Sequence, residues 1–289
     1  MSDAELDGLE RLRSGLATAG ASVPFGDFCK MSLVDAGPGW ATRSLRLPPW
    51  LAQLADSALP GAQSVVADSA LGNAVLSTLP PCRVNVTAEL RLELVRAATF
   101  GDPILVCEAR VVDVDDNVAL SNGVVRDGSG ATVALATMWS AIIQRAAGPP
   151  TAGTPPVPAP PVRTPMVGTI IEMLDIDETD DEGGSVVLCV PPRAELANSL
   201  GFVHGGAVSM LADVACATLV RRTIAAQRVR HLHHQIQYFR PTPMIGHTEY
   251  RARLVEQSRR FATLDCLIID GRGATTARAS QLMSVTQER

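Results

Sequence analysis

The chain has 289 residues, of which 46% are apolar and 19% are charged, and its formal net charge is −5 at neutral pH. These values fit a globular protein with enough apolar residues for two domains of ordinary size. They argue against three classes of protein. No apolar run is long enough to span a membrane, the acidic N-terminus has no signal-peptide core, and the negative charge does not attract nucleic acid. We therefore expect a cytoplasmic protein with no nucleic-acid partner and no membrane partner.

In chain order, the first half predicts an accessory helix, two strands, a long helix and four more strands. Leucines at helical spacing predict an amphipathic helix over residues 3–19. Residues 37–39, which read Gly-Pro-Gly, divide two short strand-like runs and predict a hairpin turn. Residues 61–78 predict the long helix. Strands are predicted at residues 28–35, 41–47, 85–95, 104–114, 118–126 and 132–143.

A proline-rich segment follows at residues 146–165, where eight prolines occur without apolar periodicity. This composition is typical of an extended, semi-rigid linker. We favour a spacer over a proline-motif docking site, because a tandem fold must carry the chain from one unit to the next. The linker divides a first domain, residues 1–145, from a second domain, residues 166–289.

The second half predicts the same order of elements. An apolar stretch from Gly205 to Arg222 is typical of a buried helix. The acidic residues 175–182 lie between the first two strands of this half and predict the solvated loop of a hairpin. Strands are predicted at residues 167–176, 185–190, 231–239, 248–255, 261–270 and 275–286.

The two halves are also related in sequence. Residues 59–74 align with residues 204–219 at a constant offset of 145, and this alignment pairs Asp68 with Asp213. The chain is therefore an internal duplication.

Two features of the second long helix point to a site. At Gly205 and Gly206, backbone N–H groups without a partner in the helix, together with the helix dipole, favour an anion or a polarised carbonyl oxygen. Asp213 interrupts the apolar run, and a buried charge needs a partner or a purpose. It lies about 12 Å along the axis from the Gly205 N–H, too far for both to contact one reacting carbon. If both are catalytic, they serve different sites, and the duplicated helix supplies the second one.

The motif Asn-x-x-Gly-x-x-His-Gly-Gly, with an aspartate nine residues after the histidine, resembles that of the PaaI-type branch of hotdog-fold acyl-CoA thioesterases. The motif residues are Asn198, Gly201, His204, Gly205, Gly206 and Asp213. The resemblance implies an α+β fold of two tandem hotdog domains, each an antiparallel sheet wrapped around a long central helix, packed as a pseudo-dimer. The element pattern alone supports only the α+β class. The resemblance also implies an acyl-CoA substrate, no cofactor, and a homo-oligomer of double-hotdog chains.

The resemblance further implies roles at the start of the second helix. The Gly205 N–H would stabilise the oxyanion, Asn198 would hold the carbonyl or the water, and His204 would shape the loop and meet the leaving sulfur. Gly206 would contact the substrate. In such enzymes the helix start of one unit works with the carboxylate of the other, so Asp68 would be the base or the nucleophile. The purely structural alternatives are a helix cap, tight helix packing and a turn. We favour the functional interpretation.

A second site would combine Asp213 with the start of the first long helix. There Pro60 occupies the position of Gly205, and proline has no N–H to donate. Gly61 remains as a possible donor to a substrate. We therefore predict that this site is inactive or altered. Asp213 is then a relic, a structural residue or a base in a modified site.

Two more residues are candidate substrate contacts. Arg240 could meet the phosphates of coenzyme A, although a solvated surface position is the simpler interpretation. His231 falls where some relatives in the family carry a water-orienting serine, on the side of Asp213. Its counterpart near the other carboxylate is Val86, followed by Thr87.

We predict no metal site. His231 and His233 would share one face of a strand while His234 points away, and no further ligand completes a set. The six cysteines are scattered singly without a Cys-x-x-Cys pair, which is typical of buried thiols in a reducing compartment.

The sequence thus supports a thioester hydrolase that releases free acid and CoA at a site shared between the repeats. A non-catalytic protein that binds acyl-CoA or another acyl ligand in an eroded site is the alternative. Hydratase chemistry ranks third, because the chain lacks a hydratase-type Asp/His pattern.

Overall fold

The computed structural model describes residues 6–18, 24–47, 50, 57–58, 60–99, 103–144, 168–181, 184–224 and 227–287. The predicted linker, residues 146–165, lies outside these ranges. Within them, no helix is both long and apolar enough to cross a membrane.

Twelve strands form one continuous antiparallel sheet, to which each half of the chain contributes six. The first half supplies β1 (Met31–Gly37), β2 (Trp40–Arg46), β4 (Arg83–Leu94), β6 (Ile104–Val114), β7 (Val118–Asp127) and β8 (Thr132–Gln144). The second half supplies β9 (Asp177–Asp181), β10 (Ser185–Val190), β11 (Gln227–Tyr238), β12 (Thr248–Gln257), β13 (Phe261–Ile269) and β14 (Thr275–Gln287). Two short strands, β3 (Ser57–Ala58) and β5 (Ala98–Thr99), pair separately.

The strand order is β1-β2-β6-β7-β8-β4-β11-β14-β13-β12-β10-β9. Read from opposite edges, the two halves have the same order, which agrees with the duplication seen in the sequence. Strands β4 and β11 join them, with Leu90 opposite Ile236, and both side chains are fully buried. One hydrophobic core therefore extends across both halves.

In the described ranges, five α-helices accompany the sheet. They are α1 (Gly8–Thr18), α2 (Pro24–Phe28), α3 (Pro60–Leu76), α4 (Ile170–Met173) and α5 (Gly205–Thr223). Helix α3 packs on β2, β4, β6 and β7, whereas α5 packs on β10, β12 and β13. Most residues of α3 and α5 are buried, 14 of 17 and 14 of 19, as expected for helices that are apolar nearly all round.

Helices α3 and α5 also pack against each other and run antiparallel. The start of each lies against the middle of the other, with Gly206 beside Val65 and Gly61 beside Met210. A β-carbon on Gly61 would lie 2.8 Å from the Met210 Cα. Glycine at this position therefore permits the close approach of the two backbones.

Two predicted elements of the second half are wrong. Residues 170–173, expected in a strand, form α4, because Thr169 and Glu172 make a reciprocal capping box at its start. Residues 177–181, expected in a loop, form β9, which pairs with β10 at the edge of the sheet. Asp177 and Glu178 suit an edge strand, where charge hinders pairing with another chain.

The other predicted strands and both long helices are confirmed with small shifts of their ends. The strand predicted from Phe28 begins at Met31, because residues 24–28 form α2. The N-terminal helix begins at Gly8 and packs on β1, with Leu12 buried.

Candidate active site

Asp68 of α3 lies at the start of α5. Its Oδ2 accepts a hydrogen bond from the Gly206 N–H at 3.0 Å, and its Oδ1 accepts one from the Thr87 hydroxyl at 2.8 Å. The residue is 6% exposed. The antiparallel packing of the two helices thus places a carboxylate from the first half against a helix start from the second half.

Gly205 leaves the Asp68 carboxylate uncovered. A β-carbon on Gly205 would lie 3.3 Å from both carboxylate oxygens, so a side chain there would crowd them. The Gly205 N–H makes no hydrogen bond to any residue in the described ranges. The N–H bound to Asp68 is that of Gly206, one residue beyond the predicted oxyanion donor. One donor therefore holds the carboxylate while its neighbour stays available at the positive end of the helix.

His204 is the N-cap of α5. Its Nδ1 accepts from the Gly206 N–H at 3.0 Å and lies 3.5 Å from Asp68 Oδ2. The ring packs against Phe25, with 4.8 Å between centroids. Burial lowers the pKa of His204, and this effect outweighs the opposing attraction of Asp68. The imidazole is therefore neutral near pH 7. The structural alternative for His204, a helix cap, is confirmed.

Asn198 shapes the loop that leads into α5. Its Oδ1 accepts hydrogen bonds from the backbone N–H groups of Leu200 and Phe202, at 2.8 and 3.1 Å. The side chain therefore stabilises a turn, which is the structural alternative given for Asn198 in the sequence. Its amide nitrogen makes no hydrogen bond to a described residue and stays free to donate.

A cavity of about 560 Å³ opens beside these groups, a volume typical of small-molecule sites. Asp68, Asn198, His204 and Gly205 all line it, and so does Arg240, whose side chain is exposed. Tyr238, also on the wall, donates its hydroxyl to the Gly205 carbonyl oxygen at 2.7 Å and so fixes the first turn of α5.

Thr87 is a site residue that the sequence does not predict, since the pattern marks it only as the neighbour of Val86. A β-bulge between Thr87 and Glu89 shifts the register of β4 against β8. The Thr87 hydroxyl contacts Asp68. No simple sequence signal marks a bulge at this point, because bulges depend on how two strands pair.

The start of α3 corresponds to this site in the other repeat, and there side chains surround the aspartate. Asp213 is 0% exposed, and its Oδ2 accepts from the Gly61 N–H at 2.7 Å. Its Oδ1 accepts from Gln281 Nε2 at 2.5 Å, and Gln281 Nε2 lies 3.0 Å from His234 Nδ1. Ser209 completes the network at 2.8 Å from His234 Nε2. Both oxygens of Asp213 are thus engaged within the protein.

The histidine triplet of β11 does not alternate as predicted. A bulge between His231 and His233 interrupts the register, so that His233 pairs with Glu93 outside. His234 is fully buried and His231 is half-buried, and both lie close enough to Asp213 for its charge to raise their pKa values against the effect of burial. Burial lowers the pKa of His231, and lowers that of His234 to about 4. Gly61, Gly206 and His231, predicted as substrate contacts, are not among the residues that line the 560 Å³ cavity, and the Gly206 N–H is bound to Asp68 instead.

Comparison with known proteins finds solved structures with a similar fold. The chain resembles the TesB protein of Mycobacterium avium subspecies paratuberculosis, with 12% identity, a TM-score of 0.62, and 96% of this chain and 99% of that chain covered. It resembles acyl-CoA thioesterase II TesB2 of Mycobacterium marinum, with 11% identity, a TM-score of 0.62, and 91% and 97% covered. A hot dog fold protein of unknown function from Alicyclobacillus acidocaldarius matches with 12% identity, a TM-score of 0.58, and 93% and 100% covered.

None of the curated protein sequences matches the chain. A family model described as the thioesterase superfamily matches twice, at residues 60–134 and 200–277, which together make up more than half of the chain. Each match contains one of the two long helices and the strands that follow it. The chain therefore belongs to the thioesterase superfamily, and its two halves form a hotdog-like fold with one large antiparallel sheet.

Proposed function

We propose that the protein is an acyl-CoA thioesterase in which the two halves act as a pseudo-dimer and share one active site. The observation that carries this proposal is the position of Asp68, bound to the start of α5 and beside a free N–H at the wall of a substrate-sized cavity. Membership of the thioesterase superfamily supports the reaction type.

In the proposed reaction the thioester carbonyl oxygen accepts a hydrogen bond from the Gly205 N–H. Asp68, oriented by Thr87 and Gly206, takes a proton from a water molecule that attacks the carbonyl carbon. A C–O bond forms, and the N–H and the helix dipole stabilise the negative oxygen. The C–S bond then breaks, and the thiolate of CoA takes up the proton held by the carboxyl group. Asn198 is placed to donate its free amide N–H to the carbonyl or the water.

Asp68 could instead attack the carbonyl carbon directly and form an anhydride that water hydrolyses. In both routes the neutral His204 caps the helix start, and the proton that reaches the thiolate comes from Asp68. Arg240, exposed beside the cavity, is the candidate contact for the phosphates of CoA.

We assign a structural role to Asp213. Pro60 opens α3 at the position that Gly205 has in α5, so this helix start has no equivalent free N–H. Among the described residues, Gly61 supplies the one backbone donor to Asp213, and this N–H is already bound to it. The network of Gln281, His234 and Ser209 fills the space where a thioester would have to lie.

The test is the release of free thiol from a panel of short, long and aromatic acyl-CoAs by the purified protein. We expect turnover that is lost in Asp68→Asn. Tight binding of acyl-CoA without thiol release from any panel member would support the alternative, an acyl-ligand binding protein. The cytoplasmic location of the chain and its assembly into a homo-oligomer stay predictions from the sequence.

A further inference from the structure

Arg43 is half-buried and faces the proposed substrate cavity. It belongs to β2, where Ala41 and Leu45, two residues away on either side, are buried in the core. Side chains two residues apart in a strand share a face. Arg43 therefore leaves the sheet on the side covered by α3, and it lines the cavity.

No residue in the described ranges neutralises Arg43. The side chain makes no hydrogen bond or ion pair with them, and its Nε is buried without a partner. Asp68 lines the same cavity but makes no ion pair with Arg43. Burial lowers the pKa of Arg43 to about 10, so the guanidinium keeps its charge near pH 7. A half-buried guanidinium that lines a cavity and has no ion-pair partner is suited to bind an anionic group of a ligand.

Two polar side chains of α3 also lack a hydrogen-bond partner among the described residues. Their unpartnered atoms, Ser69 Oγ and Asn73 Nδ2, are buried, and both residues line the cavity. They are four residues apart and therefore lie on one face of the helix. Buried polar groups in native proteins nearly always have partners. Three unsatisfied groups, all able to donate, thus belong to the wall of one cavity.

We infer that the acyl group of the substrate carries a carboxylate that binds Arg43, so that the substrate is the CoA monothioester of a dicarboxylic acid. This inference rests on the proposed thioesterase function. A carboxylate can accept both N–H groups of a guanidinium fork and still accept from a hydroxyl or an amide. A plain alkyl chain would leave all these donors unpaired.

The position of the three groups sets the length of the acyl chain. Ser69 follows Asp68 directly, and Asn73 lies about 7.5 Å further along the helix axis than Asp68. The carboxylate is therefore separated from the thioester carbonyl by a short chain. The CoA phosphates are a poorer partner for Arg43, because they are bulky and hydrated, and the exposed Arg240 is open to them.

The first experiment compares kcat/KM for glutaryl-, adipoyl- and suberoyl-CoA with that for valeryl-, hexanoyl- and octanoyl-CoA, which have the same numbers of carbon atoms. We expect at least one dicarboxylic substrate to be preferred over its equal-length counterpart. Arg43→Met should lower this preference about tenfold to a hundredfold, the effect of losing a charge-assisted hydrogen bond. Arg43→Lys should keep part of it, because a charge without the fork remains. Arg46→Met, at an exposed position of the same strand, is the matched control and should not change the preference.

The second experiment measures binding by calorimetry and does not depend on turnover. In Asp68→Asn, adipoyl-CoA should bind more tightly than hexanoyl-CoA, and adding Arg43→Met should remove the difference. Equal loss of affinity for both ligands would show that Arg43 binds the CoA part, and it would overturn the inference. Equal kcat/KM for every matched pair in the unaltered protein would overturn it too. Absence of thiol release from any acyl-CoA would refute the proposed function instead, and calorimetry would still decide the role of Arg43.

Discussion

Asp68→Asn and Asp213→Asn make the same chemical change at equivalent positions of the two repeats, and the structure predicts opposite consequences. Asp68 accepts one N–H, from Gly206, and one hydroxyl, from Thr87. The amide that replaces it can still accept from Gly206 and can donate to Thr87, whose hydroxyl is free to rotate. The fold should therefore be as stable as before. Turnover should fall by about 10²-fold or more, because the carboxylate that takes the proton is gone.

Asp213 instead accepts from two groups that can only donate in their present orientation, the Gly61 N–H and Gln281 Nε2. An amide has one acceptor oxygen, so one of these contacts is lost. Gln281 could turn its unpaired Oε1 toward the new amide, but its Nε2 would then leave His234. One buried group stays unsatisfied in either case, at a cost of about 1–3 kcal/mol. We expect a melting temperature several degrees lower and little change in kcat.

The assay combines thiol release, to obtain kcat and KM, with thermal unfolding of the same samples. Asp68→Asn should lower kcat with a modest change in KM, and its melting temperature should match that of the unaltered protein. Loss of turnover in a well-folded Asp213→Asn, with turnover kept in Asp68→Asn, would refute the assignment. The active site would then lie at the start of α3.

Three further predictions concern single groups. Gly205→Pro should lower kcat about 10²-fold to 10³-fold by removing the oxyanion donor while the fold tolerates proline at the first helical position. Gly205→Ala keeps that N–H but adds the same β-carbon 3.3 Å from the Asp68 oxygens, so it measures the effect of crowding alone. An equal loss of kcat in both variants would contradict the donor role. Thr87→Ala should lower kcat about tenfold, and Thr87→Ser should restore most of it if the hydroxyl orients Asp68. Stability should fall in acid, because the buried His234 has a folded pKa of about 4 and an unfolded pKa of about 6.5. Only the unfolded state gains this proton as the pH falls from about 6.5 toward about 4, which costs about 1.4 kcal/mol per pH unit. Urea unfolding near pH 7 and near pH 5 should show a smaller difference for His234→Gln than for the unaltered protein.

Much of the arrangement was determined by the sequence alone. The constant offset between the repeats fixed the pairing of Asp68 with Asp213, and helix geometry separated each from its own helix start by about 12 Å. Each carboxylate therefore had to reach the other helix, and the hydrogen bonds to Gly206 and Gly61 agree with this. Pro60 likewise predicted a difference between the two helix starts, because a missing N–H is a property of the residue itself.

Strand pairing decided what the sequence left open. The bulges in β4 and β11 change which side chains face the helices, and they bring Thr87 to Asp68 and turn both His231 and His234 inward. A bulge depends on the partner strand, so periodicity within one strand does not reveal it.

The cavity and its unpaired arginine were likewise beyond the sequence. Arg43 lies in a run of alternating residues, Trp40–Arg46, that also reads as a strand with one solvated face. Only the packing of α3 on β2, and of α3 against α5, shows that this face is covered and that a cavity remains beside it. Burial is a property of what the rest of the chain places over a residue, and for Arg43 those neighbours come from both halves of the protein.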